Sequence, residues 1–84
     1  MEPGSRPHRV LLYGKPGCHL CDEARTVVAA VCASVAVGWS EVDISTDPAL
    51  LHRFGEQIPV TFVDGRQHDF WRVDPARLRA ALGS

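Results

Sequence analysis

The chain has 84 residues, enough for one modest hydrophobic core and too few for two domains. With 45% hydrophobic and 23% charged residues it is too apolar for a disordered chain, and a formal net charge of -1 leaves no electrostatic footprint for nucleic acid or an anionic membrane. Residues 1–7 lack the apolar core of a signal peptide and no apolar run approaches the roughly 18 residues that span a bilayer, so a cytoplasmic protein is expected.

Residues 1–7, with Pro3, Gly4, Ser5 and Pro7 ahead of any periodic pattern, read as a flexible leader, and 8–84 as the folded domain. Val10–Tyr13 is a continuous apolar run bounded by Gly14 and Pro16, the pattern of a strand buried on both faces at the centre of a sheet. From Cys18 onward, Leu20, Ala24, Val27, Val28 and Val31 recur at three- and four-residue steps, which predicts a helix to about Ala33 with Cys32 on or beside its apolar stripe. Ala36–Val42 reads as a strand interrupted by Gly38. Asp47-Pro48 is a cap with proline at the first helical position, and Gly55 closes the short helix carrying Leu50, Leu51 and Phe54.

Val60–Val63 and Gln67–Arg72 flank Asp64-Gly65, a dipeptide that favours a tight hairpin because both central residues need positive φ. Asp74-Pro75 repeats the cap-plus-proline start, and Leu78 with Ala81 or Leu82 supplies the buried side of a terminal helix. The order β-α-β-α-β-β-α predicts an α/β domain: a parallel pair with a right-handed helical crossover, extended by a hairpin into a four-stranded mixed sheet flanked by helices.

Three cysteines, one close pair plus Cys32, do not make the stabilising framework of a small secreted protein. Cys18-His19-Leu20-Cys21 sits where a buried strand turns through Gly14-Lys15-Pro16-Gly17 into a helix. At a helix N-terminus free amides and the macrodipole favour negative charge, so a thiol there ionises below its free value of about 8.5. Cys18 is therefore the candidate nucleophile, and Cys21, one turn on, the resolving thiol. Lys15 and His19 stabilise the thiolate if they point toward it, whereas Asp22 and Glu23 oppose a second negative charge. A potential of about -180 to -270 mV is expected. Zinc normally takes four ligands in a structural site, and His8, His52, His68 and Cys32 offer no second paired spacing, so no metal is expected. Mid-helix between Val31 and Ala33, Cys32 reads as a buried apolar-like residue.

These residues resemble the glutaredoxin-like proteins of the thioredoxin superfamily. The likeness runs through Leu12 to Cys21, then Ile58-Pro59, then Phe62-Val63-Asp64-Gly65, and covers nearly all of the chain after residue 7. It implies a thioredoxin-like fold, a Lys15 that contacts substrate or glutathione, and a cis Pro59 packed against the cysteine pair. It further implies that Ile58 offers backbone groups to an extended peptide or glutathione. Where the family carries a Gly-Gly pair that binds glutathione, this chain has Asp69 and Phe70, whose charge and bulk count against that ligand. Thioredoxin itself fits less well, because no tryptophan precedes Cys18 and Val10–Tyr13 holds no acid to take the Cys21 proton. Glu23 or water would then take that proton. Trp39, Trp71 and Arg72 read as core or half-buried packing rather than as a recognition surface.

The expectation is a monomeric thiol–disulfide oxidoreductase that needs no cofactor, with glutathione possible as co-substrate. It would act on a disulfide-containing protein or on glutathione mixed disulfides and take electrons from a reductase, binding neither nucleic acid nor membrane. Two alternatives stay open. One is a dithiol carrier reduced by thioredoxin reductase; the other is a non-catalytic adaptor or an iron–sulfur-cluster-binding module.

Overall fold

A computed structural model describes residues 8–83; the leader expected over residues 1–7 lies outside them. Eight elements follow in order: β1 (His8–Gly14), α1 (His19–Ser34), β2 (Gly38–Asp43), a 3-10 turn (Ile44–Thr46), α2 (Pro48–Phe54), β3 (Val60–Val63), β4 (Arg66–Phe70) and α3 (Pro75–Ala81). The sheet runs β2-β1-β3-β4, with β1 parallel to β2 and antiparallel to β3, and β3 antiparallel to β4. The expected mixed four-stranded sheet is thus present with β1 inside it. The 3-10 turn is additional, nucleated where Asp43 accepts from the Ser45 amide at 2.9 Å.

Register decides which side chains meet. Val10 pairs with Val63 and Leu12 with Thr61, so these four share the face covered by α1 and α3. There Val10, Leu12 and Val63 join Ala24, Val28, Val31, Cys32, Leu78 and Leu82 in one core cluster, with Thr61 buried on the same face. Tyr13 and Phe62 lie on the other face, where Tyr13, Phe54 and Phe62 form a triangle with ring centroids 5.1 to 5.8 Å apart. Burial along β1 alternates instead of being complete on both sides as the apolar run suggested: Val10, Leu12 and Gly14 are buried while Leu11 and Tyr13 are only half-buried. The second face is covered by α2, which is seven residues long and leaves Leu11 at its margin.

Local chemistry fixes the ends of the elements. Asp47 accepts from the amides of Ala49 and Leu50, and Asp74 from those of Ala76 and Arg77, each ahead of a proline at the start of the helix. Gly55 closes α2 as expected, though in right-handed geometry at φ -55°. The hairpin has Asp64 at φ 51° and Gly65 at φ 82°, the two positive values the turn demands.

Compared with the sequence reading, β1 extends beyond Val10–Tyr13 at both ends, β2 runs one residue past Val42 and β4 starts one residue before Gln67, and two further boundaries differ for a visible reason. The second strand begins at Gly38 instead of Ala36, because α1 ends in a motif that places Ala36 at φ 58°. In that motif the Val37 amide donates to Cys32 O at 3.0 Å and the Ala36 amide to Ala33 O at 3.4 Å. The fourth strand stops at Phe70 rather than Arg72, because Trp71 turns to φ 66° and leaves the ladder.

Candidate active site

The loop from β1 into α1 turns on Gly17, which sits at φ 76°. It delivers Cys18 in extended geometry as the cap of α1, so the helix proper begins one residue later than Cys18, at His19. Where a serine or aspartate oxygen ordinarily caps a helix, the Cys18 sulfur does so, accepting from the Cys21 amide at 3.2 Å. Cys21 lies one turn on, with a Cα–Cα separation of 5.1 Å and the two sulfurs at disulfide distance.

The sulfurs are not equivalent. Cys18 is half-buried at the surface, whereas Cys21 is 0% exposed and packs with Ile44, Phe54, Ile58 and Val60. Gly14 makes that packing possible: a Cβ there would meet the Cys21 Sγ at 3.1 Å and its Cβ at 3.3 Å. Sequence reading treated Gly14 only as the end of a strand. The Ile58–Pro59 peptide is cis, as the resemblance implied, and Pro59 is fully buried. Cys18 packs against the same cluster as Cys21 and Ile58, so the fold gathers Cys18, Cys21 and Ile58 with its proline at one pole of the sheet.

Lys15 and His19 stand at the rim. The His19 side chain is 90% exposed, with its Nε2 3.5 Å from a Glu23 carboxylate oxygen. Lys15 lines a shallow depression with Pro16, Asp22, Arg25, Glu41 and Asp43. The acidic neighbours of the first turn are compensated. Asp22 accepts from Arg25 Nη1 at 2.7 Å, and Glu23 faces Arg72 Nη1 at 3.6 Å. Arg25 also holds Glu41 through both carboxylate oxygens, tying α1 to β2, and these two partners raise its pKa above the ordinary guanidinium value. The residue types held no clue to this link, which depends on the parallel register of β1 and β2.

Cys32 lies in the main core with no exposure, and burial pushes its thiol pKa up. A thiol that resists ionisation inside an apolar cluster is a packing residue, as its mid-helix position suggested. Among the described residues, no group of three or more His, Cys, Asp or Glu is placed to hold a metal ion.

The two residues at the Gly-Gly position behave differently. A bulge in the β3–β4 ladder leaves His68 unpaired between Gln67 and Asp69, and Asp69 accepts from Arg77 of α3 at 3.1 Å. One oxygen of its carboxylate is therefore held against α3, while the other is buried without a hydrogen-bond partner among the described residues. Phe70 is instead 49% exposed and meets Trp71 edge-on at 5.0 Å between centroids.

Trp71 corrects the sequence reading. Trp39 is half-buried against the core as expected, but Trp71 is 53% exposed and Arg72 is exposed beside it. The Trp71 amide donates to Pro59 O at 2.8 Å and Gln57 O at 3.3 Å, and its indole Nε1 to Glu56 O at 3.0 Å. These bonds hold a bulky residue at positive φ, a conformation that costs about 1–3 kcal/mol. Aromatic enrichment in strands suggested burial; the turn at residue 71 puts the ring outside.

Fold and site together define a thioredoxin-fold domain with paired cysteines at the head of its first helix. The chain belongs to the glutaredoxin-like family: the family described as "Glutaredoxin-like domain (DUF836)" matches residues 9–83. It is 33% identical over 83 residues to an uncharacterized protein of Mycobacterium tuberculosis, covering 93% of this chain and 84% of the relative. It is 36% identical to a structural-genomics target protein from X. campestris, at a TM-score of 0.73 over 87% of this chain and 93% of that one. Glutaredoxin C1 from Populus tremula x tremuloides shares the fold at 19% identity, with a TM-score of 0.52 over 90% of this chain and 77% of that one.

Proposed function

We propose that this protein is a thiol–disulfide oxidoreductase working through the Cys18/Cys21 pair. The observation that carries the reading is the asymmetry of the two sulfurs, one at the surface receiving an amide hydrogen bond at a helix start and the other sealed a turn behind it. The Cys18 thiolate attacks one sulfur of a substrate disulfide; the Cys18–substrate bond forms as the substrate bond breaks, and the leaving thiolate takes a proton from solvent. Cys21 then gives up its proton, attacks the Cys18 sulfur and expels the second substrate thiolate. The substrate has gained two electrons and two protons, and Cys18–Cys21 is left as a disulfide.

A thiol reductant, glutathione or a dithiol reductase, restores the pair. The exposed Phe70 at the Gly-Gly position favours the second of these, since a side chain stands where a backbone would need to approach a small ligand closely. Ile58 makes no backbone hydrogen bond in the described loops, which supports strand-like pairing with an extended substrate segment. Lys15 provides a positive rim group, and His19 a hydrogen-bonding imidazole, for the same partner. The protein acts as a cytoplasmic monomer on disulfide-bearing polypeptides without metal or organic cofactor. No helix among the described residues is long and apolar enough to cross a membrane.

The test is a pair of variants assayed for reduction of a disulfide substrate. Cys18→Ser should be inactive, and Cys21→Ser should accumulate a trapped mixed disulfide. Equal activity in both would defeat the assignment of roles. Supplying glutathione with its reductase, or thioredoxin reductase, and following NADPH loss identifies the donor.

A further inference from the structure

The connection from β4 to α3 exposes more aromatic surface than packing explains. Trp71 and Phe70 are the two most exposed large hydrophobic side chains of the described residues, at 53% and 49%. Trp71 is nevertheless fixed: its amide bonds Pro59 O and Gln57 O, and its indole bonds Glu56 O, all at positive φ. A ring that gained only burial would not be held in an unfavourable backbone conformation with its face in solvent. The arrangement aims the indole, and what it faces is a cleft.

That cleft, of about 130 Å³, lies between the first turns of α1 and the segment Trp71–Val73. Leu20, Ala24, Val27, Trp71 and Val73 line it, with Glu23 and Arg72 as its polar members. Those two face each other at 3.6 Å, so the charges at the mouth are matched and the interior is apolar. Pockets for whole small-molecule ligands run upward from about 300 Å³, so this one suits a single side chain. Its position sets the owner of that side chain. Leu20 lies between the two cysteines in sequence, and Trp71 is bonded to the carbonyl of Pro59, which adjoins Ile58, whose backbone makes no hydrogen bond among the described residues.

We propose that the cleft between Leu20 and Trp71 is a specificity pocket that receives one apolar side chain of a disulfide-bearing polypeptide, close to the cysteine that reacts with Cys18. The proposal rests on the oxidoreductase reading for the identity of the partner. Its chemical content is separate: an extended segment, an aliphatic or aromatic side chain next to the cysteine, and no net charge on that side chain.

The experiment compares two oxidised peptides alike except for Leu or Ser beside the cysteine. The protein should reduce the Leu peptide with a kcat/KM at least ~10-fold higher, the size of effect a few methylene groups in an apolar pocket give. Trp71→Gly, which suits the backbone at residue 71, should bring the two values together, and Trp71→Phe should restore part of the preference. A merely structural role for Trp71 would lower both rates alike and leave their ratio unchanged, which would overturn the proposal, as would equal rates in the unmodified protein.

A second arm needs no turnover. In the Cys18→Ser, Cys21→Ser double variant, titration calorimetry should show tighter binding of the reduced Leu peptide than of the Ser peptide, a preference lost with Trp71→Gly. If that preference is seen while no disulfide is ever reduced by the unmodified protein, the pocket stands and the oxidoreductase reading falls. Displacement of the Leu peptide by glutathione alone would assign the cleft to that thiol and overturn the pocket.

Discussion

The two poles of the sheet are built on opposite plans. At one, Cys18, Lys15, His19, Phe70 and Trp71 leave reactive, charged or aromatic groups open to solvent. At the other, every device closes. Arg9 donates to both carboxylate oxygens of Asp64 at 2.8 Å and to Leu82 O at 3.2 Å, joining the first strand, the hairpin and the last helix. Both poles contain non-glycine residues at positive φ, Ala36 at 58° and the turn residue Asp64 at 51° at the closed one and Trp71 at 66° at the open one. Ala36 stops a helix, with its neighbours' amides answering two helix carbonyls. Trp71 presents a ring. The same backbone cost thus serves termination at one end and display at the other.

The contrast can be broken most sharply at the cysteines of α1. Cys18→Ser should reduce disulfide exchange by roughly 10³-fold or more, as loss of a covalent nucleophile does. Cys32→Ala, at the closed end of the same helix, should leave the rate within about twofold; a comparable loss there would erase the distinction between the poles.

Next in size is Gly14→Val, which forces carbon against the Cys21 sulfur. Overpacking a filled site costs about 1–3 kcal/mol, read as a lower urea midpoint. Ala36→Gly should move the other way, raising stability by about 1 kcal/mol, since glycine adopts the left-handed conformation without penalty. An unchanged melting temperature would mean that Ala36 carries no strain worth relieving.

The smallest effect is a pH dependence at the clasp. Hydrogen bonding to Arg9 holds the Asp64 carboxyl below its ordinary value. A depressed folded-state pKa gives stability that is complete above the unfolded value of about 3.9 and lost as pH falls through the lowered one. Asp64→Asn should therefore lose less stability than the unmodified protein between pH 5 and pH 2. Parallel acid limbs in chemical denaturation would show that the ion pair is screened away.

Much of the architecture was legible because it is encoded locally. The paired Asp-Pro starts of α2 and α3, the Asp64-Gly65 turn and the three- and four-residue spacing in α1 each state their structure in a few consecutive residues. The cysteine pair announced itself in the same way. Pro59 was legible only through family resemblance, since nothing in Ile58-Pro59 by itself selects a cis bond. What escaped depends on contacts far apart in the chain. Gly14 matters because Cys21 returns to it, Arg25 because Glu41 lies in the neighbouring strand, and Trp71 because the loop at Gln57 and Pro59 captures its amide. Alternating burial in β1 was missed for a related reason: an apolar run does not reveal how long the helix covering it will be.

The sealed thiol of Cys32 turns the molecule into its own clock. A reagent in solution can reach that sulfur only while α1 stands away from the sheet, so its modification in native buffer counts openings of the domain. Followed against urea, the rate separates local fraying from global unfolding without any introduced probe.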